Sequence, residues 1–351
     1  MMRWEVKKLG EVCTLQRGFD LPKNLREKGD YPLISSSGEI DTHCEPKVKS
    51  PGIVTGRSGS IGSLFFVEKD FWPLNTTLFV KDFHGNDPRF IFYLLKHFDL
   101  GRFASGTGVP TLNRNHVHDE KINITTSLEE QKRIVEILDK AFEGIAQAED
   151  NTRRNLTNAR ELFDSYLNQV FTKHDQNWTQ EPLGKVCTLQ RGYDLPQRLR
   201  VEGKFPLVSS SGIIDSHQEA KVKAPGVVTG RSGSIGSLFY VKENFWPLNT
   251  VLYVKDFHEN DPEFIFYLLK HFNLGKYASG TGVPTLNRNH VHSVLVKKPI
   301  FIEEQKNLVK SLNKLQEYQK RLETIYQRKL EAIAELKQSI LEKAFTGQLS
   351  Q

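Results

Sequence analysis

The sequence predicts an α+β protein built as two tandem globular domains, each followed by a long helix, with the two helices pairing as an antiparallel coiled coil. Three observations predict it. The chain repeats itself at a fixed offset. The first part of each copy is made of short apolar runs broken by Gly, Pro, Ser and Asn. The second part carries apolar residues at a sustained spacing close to 3.5.

The repeat aligns Trp4 with Trp178, Cys13 with Cys187, Arg57 with Arg231 and Gln131 with Gln305, always 174 residues apart (178 − 4) and without a gap. About two-thirds of positions in residues 4–131 recur in 178–305, as expected of a duplicated unit. The longest shared blocks are VTGRSGSIGSLF (54–65 and 228–239) and ASGTGVPTLNRNHVH (104–118 and 278–292). The boundaries follow: 1–126 for the first globular domain, 127–173 for the central helical spacer, 174–300 for the second domain, 301–351 for the C-terminal helical spacer.

Within the first domain, Tyr31–Ile34, Ser63–Val67 and Thr77–Val80 read as strands, because β-branched and aromatic residues sit between turn formers. Asp87–Leu95 reads as a helix, with Asp87 as N-cap and Pro88 in the first helical position. Ser127–Glu130 forms a capping box at the entry of the long helix. Ile134, Leu138, Ala141, Ile145 and Ala148 then alternate at spacings of 4 and 3. A polar stretch, Glu149–Asn155, interrupts, and the pattern resumes through Leu156, Ala159, Phe163, Tyr166 and Val170. The second seam runs through Leu308, Leu312, Leu315, Leu322, Tyr326, Ile333, Leu336 and Ile340, broken at Gln319 and Lys329. At 1.5 Å per residue, about 40 residues reach about 60 Å, which is more than one such domain can cover. Two similar helices leaving two similar domains pack most simply antiparallel, with the domains at opposite ends and related by a pseudo-twofold axis.

Composition narrows the function classes. Lys and Arg number 48 against 42 Asp and Glu, a net charge of +6, which permits a polyanionic partner without requiring one. The three cysteines, Cys13, Cys44 and Cys187, lack a CxxC spacing and indicate a reducing compartment. No apolar stretch approaches membrane-spanning length, so a cytoplasmic protein without membrane contact is expected.

The motif inventory argues against catalysis by this chain. There is no GxGxxG loop, no GxxxxGK[ST] loop and no Asn/Asp-Pro-Pro-Tyr run. Asp41, Glu45 and Lys47 are spaced more tightly than carboxylate ligands on neighbouring strands would be, so a solvated turn is preferred to a nuclease centre. His116 and His118 at i and i+2 would share one face of a strand, yet no Cys or acidic partner stands at ligand spacing. No metal is therefore expected.

The Gly-rich polar loops suit nucleic acid better. Gly lets backbone approach a phosphate, Ser, Thr and Arg bond its oxygens, Arg can bridge guanine O6 and N7, and Asn can bridge adenine N6 and N7. The candidate DNA-binding residues are Arg17, Ser36, Arg57, Ser58, Thr107, Asn113 and Arg114, with their repeat mates Arg191, Ser210, Arg231, Ser232, Thr281, Asn287 and Arg288. Lys47, Lys49 and Lys81 are candidates for phosphate neutralisation, with an ordinary solvated face as the alternative.

At this point the whole chain resembles the specificity subunit of type I restriction–modification enzymes. The domain openings Trp4…Leu9-Gly10-Glu11-Val12 and Trp178…Leu183-Gly184-Lys185-Val186 are similar to that family's target-recognition-domain start. Gly56-Arg57-Ser58-Gly59-Ser60-Ile61-Gly62 resembles its central glycine motif, and residues 129–139 its helix entry. Leu341–Leu349 resembles its C-terminal ending. The chain is short for the family, and Lys306–Val309 departs from the usual helix entry. The resemblance implies two tandem target-recognition domains reading a bipartite double-stranded DNA site, with helices that set the spacing. It also implies two methyltransferase subunits as partners, which carry S-adenosylmethionine while this chain holds no cofactor, and it admits restriction–translocase subunits. The specificity subunit of a type II system with a fused nuclease–methyltransferase is the alternative, ahead of a stand-alone DNA-cleaving enzyme or a scaffold for proteins only. Because the two domains are nearly equal, the expected target is an interrupted palindrome. Differences such as Asn24/Arg198, Glu39/Ile213 and Cys44/Gln218 are able to break the symmetry at one or two positions.

Overall fold

The computed structural model describes residues 4–106, 110–172, 177–280 and 284–349. The chain divides into two compact units. The first holds Met1–Arg153 and Arg328–Gln351, the second Arg154–Gln327. Each long helix therefore contributes to both units.

In the first unit the elements are β1 (Trp4–Lys8), α1 (Leu9–Val12), β2 (Thr14–Arg17), β3 (Tyr31–Ser35), β4 (Gly38–His43), β5 (Gly52–Gly56), β6 (Leu64–Val67), β7 (Trp72–Pro73), β8 (Thr77–Asp82), α2 (Pro88–Phe98), β9 (Ala104–Ser105), β10 (Thr111–Leu112), α3 (Arg114–Asp119), β11 (Lys121–Thr125) and the long α4 (Leu128–Thr172). A four-stranded sheet in the order β2-β8-β5-β6 forms the body, beside a three-stranded sheet β4-β3-β7 and the pairs β1-β11 and β9-β10. The expected strands are present. So is the expected helix: the Asp87 carboxylate accepts from the backbone of Arg89 and Phe90, both at 2.9 Å, and Pro88 opens the first turn. The buried face of α2, with Phe90, Ile91, Leu94 and Leu95, packs into a core with Leu15, Ile53, Leu78 and Val80 from the sheet.

That core continues into the long helices. Ile134 and Leu138 of α4 and Leu341, Ala344 and Phe345 of α8 (Ile302–Phe345) belong to it. Phe345 stacks on His97 with ring centroids 5.4 Å apart. The two helix stretches run antiparallel: Glu149 pairs with Lys337, and Arg133 reaches the Leu349 carbonyl at 3.0 Å.

The second unit repeats the plan with β12 (Trp178–Pro182), α5 (Leu183–Val186), β13 (Thr188–Arg191), β14 (Phe205–Ser209), β15 (Gly212–His217), β16 (Gly226–Gly230), β17 (Leu238–Val241), β18 (Trp246–Pro247), β19 (Val251–Asp256), α6 (Pro262–Phe272), β20 (Ala278–Ser279), β21 (Thr285–Leu286), α7 (Arg288–His292) and β22 (Leu295–Pro299). Its main sheet is β13-β19-β16-β17. Here Phe163, Leu167, Val170 and Phe171 of α4 and Val309 and Leu312 of α8 close the core. Arg160 meets Glu323 at 3.6 Å; further along, Phe171 packs on Trp178, whose indole donates to Glu304 at 3.0 Å. This pairing is again antiparallel.

Two expectations are corrected, on Leu336 and on the paired histidines. The polar stretch Glu149–Asn155 interrupts the apolar pattern, as expected, while α4 itself runs unbroken over 45 residues. Thr152 is buried and carries the seam across it, its hydroxyl satisfied by the Ala148 carbonyl at 2.6 Å. Leu336 is 48% exposed, and the half-buried Lys337 takes the seam position instead, which its bond to Glu149 permits. Finally, His116 and His118 sit on helix α3 rather than on a strand.

Candidate nucleic-acid interface

The sequence from Gly52 to Leu78 builds the first candidate site. Strand β5 ends at Gly56, where a Cβ would lie 1.9 Å from the Ser60 carbonyl oxygen, so only glycine allows the chain to fold back here. Arg57 follows at once. Its backbone N–H donates to Thr76 and its carbonyl accepts from Leu112, which clamps it between two loops. Ser58 is bridged to Thr111 and donates its N–H to Thr76. Next comes the short β9-β10 pair, and Asn113 then caps α3 by accepting the Asn115 N–H at 3.0 Å.

These elements converge. Arg17, Arg57, Leu78, Ser105, Thr111, Leu112, Asn113 and Arg114 line one recess of about 430 Å³. Four sequence candidates separated by up to 97 residues (114 − 17) meet there. Arg17 and Arg114 are exposed and Arg57 is half-buried, so three guanidinium groups face one cleft. The second unit forms the same recess, about 780 Å³, from Gln190, Arg191, Gly192, Tyr193, Arg231, Leu252, Thr285, Leu286, Asn287 and Arg288. Across both linings the repeat changes one residue only: Phe19 becomes Tyr193. The Tyr193 hydroxyl is bonded to that of Tyr253 at 2.9 Å, where the first unit has Phe79.

Other candidates lie apart from the lining. Ser36 and Ser210 hold the β3-β4 and β14-β15 turns: the Ser36 carbonyl accepts from the Ser63 hydroxyl, and the Ser210 carbonyl from the Ser237 hydroxyl, at 2.5 Å each. Ser58 and Ser232 are joined to Thr111 and Thr285 through backbone bridges. Thr107 and Thr281 fall outside the described residues. Lys47 covers the Trp72 ring at 4.7 Å, Lys49 is paired with Asp70 at 2.8 Å, and Lys81 is exposed.

Two histidines hold backbone in place. His118 Nε2 accepts the Leu15 N–H at 2.8 Å, and His292 Nε2 accepts that of Leu189 at 2.9 Å. Burial, helped by the neighbouring Arg114 and Arg288, lowers the pKa of each ring, which suits a neutral acceptor. Among the described residues no group of three or more His, Cys, Asp or Glu could hold a metal ion. Burial pushes the thiols of Cys13 and Cys187 up to about 12, far from a reactive thiolate. Among the described residues no helix is long and apolar enough to cross a membrane.

Sequence reading missed Asp20 and Asn75, with Asp194 and Asn249 in the second unit. The Asp20 carboxylate accepts from the Asn75 side-chain amide and lies 3.8 Å from Arg17, while the Asn75 carbonyl accepts from Arg57 Nε at 3.3 Å. Nothing local announces this cluster, because its members are 55 residues apart (75 − 20).

The two units also differ away from the arginine recesses. A recess of about 810 Å³ in the second unit lies between β17 and α8, over Ile213, Tyr240, Phe266 and Gln316. In the first unit Arg89 occupies the matching place, bonded to Asp139 at 3.0 Å and set over the Phe66 ring.

The comparisons with known proteins agree with this geometry. The family model described as the type I restriction modification DNA specificity domain matches residues 1–157 and again 175–332. A putative type I specificity subunit from Mycoplasma pneumoniae is 22% identical over 182 residues, which is 49% of this chain and 52% of that protein, so the chain spans about half the length of that curated relative. A chain from a solved type I R-M system, studied for complex assembly and conformational transition, superposes with a TM-score of 0.79 at 16% identity, over 98% of both chains. The HsdS subunit from Thermoanaerobacter tengcongensis gives a TM-score of 0.59 at 18% identity, over 98% of this chain and 97% of that one.

Proposed function

Since the chain belongs to the type I restriction–modification DNA specificity family, we propose that it is the sequence-specific DNA-binding subunit of a type I system, without a catalytic centre of its own. The observation that carries the reading is the pair of arginine recesses. Each offers three guanidinium groups in one cleft, at loops where glycine permits close approach. Arginine is the residue best suited to both phosphate and guanine.

Each domain reads one half of a bipartite double-stranded site. Because the two linings differ at a single residue, the halves are near-equal, and a near-palindromic interrupted target follows. The paired helices act as the spacer between the halves and as the scaffold for two methyltransferase subunits, with restriction–translocase subunits joining them. S-adenosylmethionine and the pocket for the flipped base belong to the methyltransferase. This chain supplies address and spacing, in the cytoplasm where the DNA lies.

The test is reconstitution with the cognate methyltransferase subunits. The complex should retain target duplex, and replacing Arg57 and Arg231 together by Ala should weaken retention at least tenfold, a loss of about 1–3 kcal/mol for each base-contacting arginine. Methyl transfer or cleavage by this chain alone, or unchanged retention by the double variant, would overturn the reading.

A further inference from the structure

We propose that Asp20 with Asn75, and Asp194 with Asn249, are positioning residues that pre-set the paired arginines of each recess for guanine; this deepens the DNA-reading role above and rests on it. Four groups form a chain in the first unit. Arg17 faces the Asp20 carboxylate at 3.8 Å, Asp20 accepts from the Asn75 amide, and the Asn75 carbonyl takes Arg57 Nε at 3.3 Å. The second unit links the same residues through partly different arginine atoms. Arg191 donates to Asp194 at 3.3 and 3.4 Å, Asp194 accepts from the Asn249 amide, and the Asn249 backbone carbonyl accepts from Arg231 Nη1, rather than Nε, at 3.4 Å. Asn75 can serve both arginines because it lies in the turn closed by the Thr77 N–H on the Leu74 carbonyl, and Arg57 is itself pinned to Thr76 next to it.

Two considerations favour a reading role over a stabilising one. The Arg17 and Asp20 side chains are 52% and 70% exposed, and ion pairs at such sites contribute little to folding. Moreover, a carboxylate 3.8 Å from Arg17, at the edge of an arginine-lined recess, lowers the attraction for phosphate, so it is a cost for non-specific binding. What it provides is orientation. A guanidinium held along one edge presents the other edge as a fixed fork, which matches guanine O6 and N7. The ordering entropy is then lost before DNA arrives rather than on binding.

The experiment uses the full chain reconstituted with its methyltransferase subunits. The variants are Asp20→Ala with Asp194→Ala, and in parallel Asp20→Asn with Asp194→Asn, which keeps the acceptor for the asparagine amide. Affinity for a target duplex and a scrambled duplex is measured across a salt series, and methylated motifs are read by sequencing. Target affinity should fall about tenfold in the alanine variant while scrambled affinity holds or rises. The motif should become degenerate at one guanine in each half-site, and the asparagine variant should recover part of the target preference. Three results would overturn the proposal: both affinities rising together with a steeper salt dependence, an unchanged motif, or parallel losses with a lowered Tm. A wild-type complex that does not prefer its target would instead sink the DNA-reading role itself.

Discussion

Gln131 takes the backbone N–H of Asp87 on its side-chain oxygen at 2.8 Å, and so locks the first turn of the long helix to the cap of α2. Its amide also donates to Asn86 and to the Thr125 carbonyl, each at 2.8 Å, in a fully buried site. Gln305 repeats the arrangement with Asp261, Asn260 and Pro299. The side chain thus ties the globular part of the unit to its long helix. Gln131→Ala leaves buried backbone groups without partners, each costing about 1–3 kcal/mol. A loss of about 2–4 kcal/mol is expected in urea denaturation, with a similar loss for Gln305→Ala.

Gly56 controls the recess more directly. A methyl group there meets the Ser60 carbonyl oxygen, which is backbone and cannot swing aside. Gly56→Ala should cost about 1–3 kcal/mol and displace Arg57 from the cleft. DNA affinity of the reconstituted complex should fall with it. Gly230→Ala should act in the same way through Arg231, since its Cβ would lie 1.9 Å from the Ser234 carbonyl oxygen.

Half-buried histidines make stability depend on pH in mild acid. His97, His118, His271 and His292 all have pKa values lowered from 6.5, with burial as the first cause in each. The unfolded chain therefore takes up protons before the folded one does. Stability is full above about pH 6.5 and falls as the pH drops through the lowered values. Replacing His118 and His292 by Gln should flatten the fall of Tm between pH 6.5 and 5, and an unaltered slope would show that these rings do not set it.

Local signals in the chain carried much of the fold. Asp87-Pro88 announces α2 because a cap and a first-turn proline act through neighbouring backbone alone. The apolar seam announces both long helices for the same reason. Thr152 was hidden because a buried hydroxyl bonded to its own helix looks, in sequence, like solvent-facing polarity. His118 was misplaced because two histidines two residues apart fit a strand face, whereas Asn113 caps a short helix there. Of the site, Arg17, Arg57, Asn113 and Arg114 were visible as donors on Gly-rich loops. Asp20 and Asn75 were not, since their roles exist only once β2 and the turn before β8 are brought together.

Equality of the two readers is the claim on which the rest depends, and sequencing of methylated bases in cells that carry this chain with its methyltransferase tests it most directly. The account predicts a single motif whose two halves are reverse complements across a fixed gap, with deviation at no more than a position or two. A motif with two unrelated halves would contradict it.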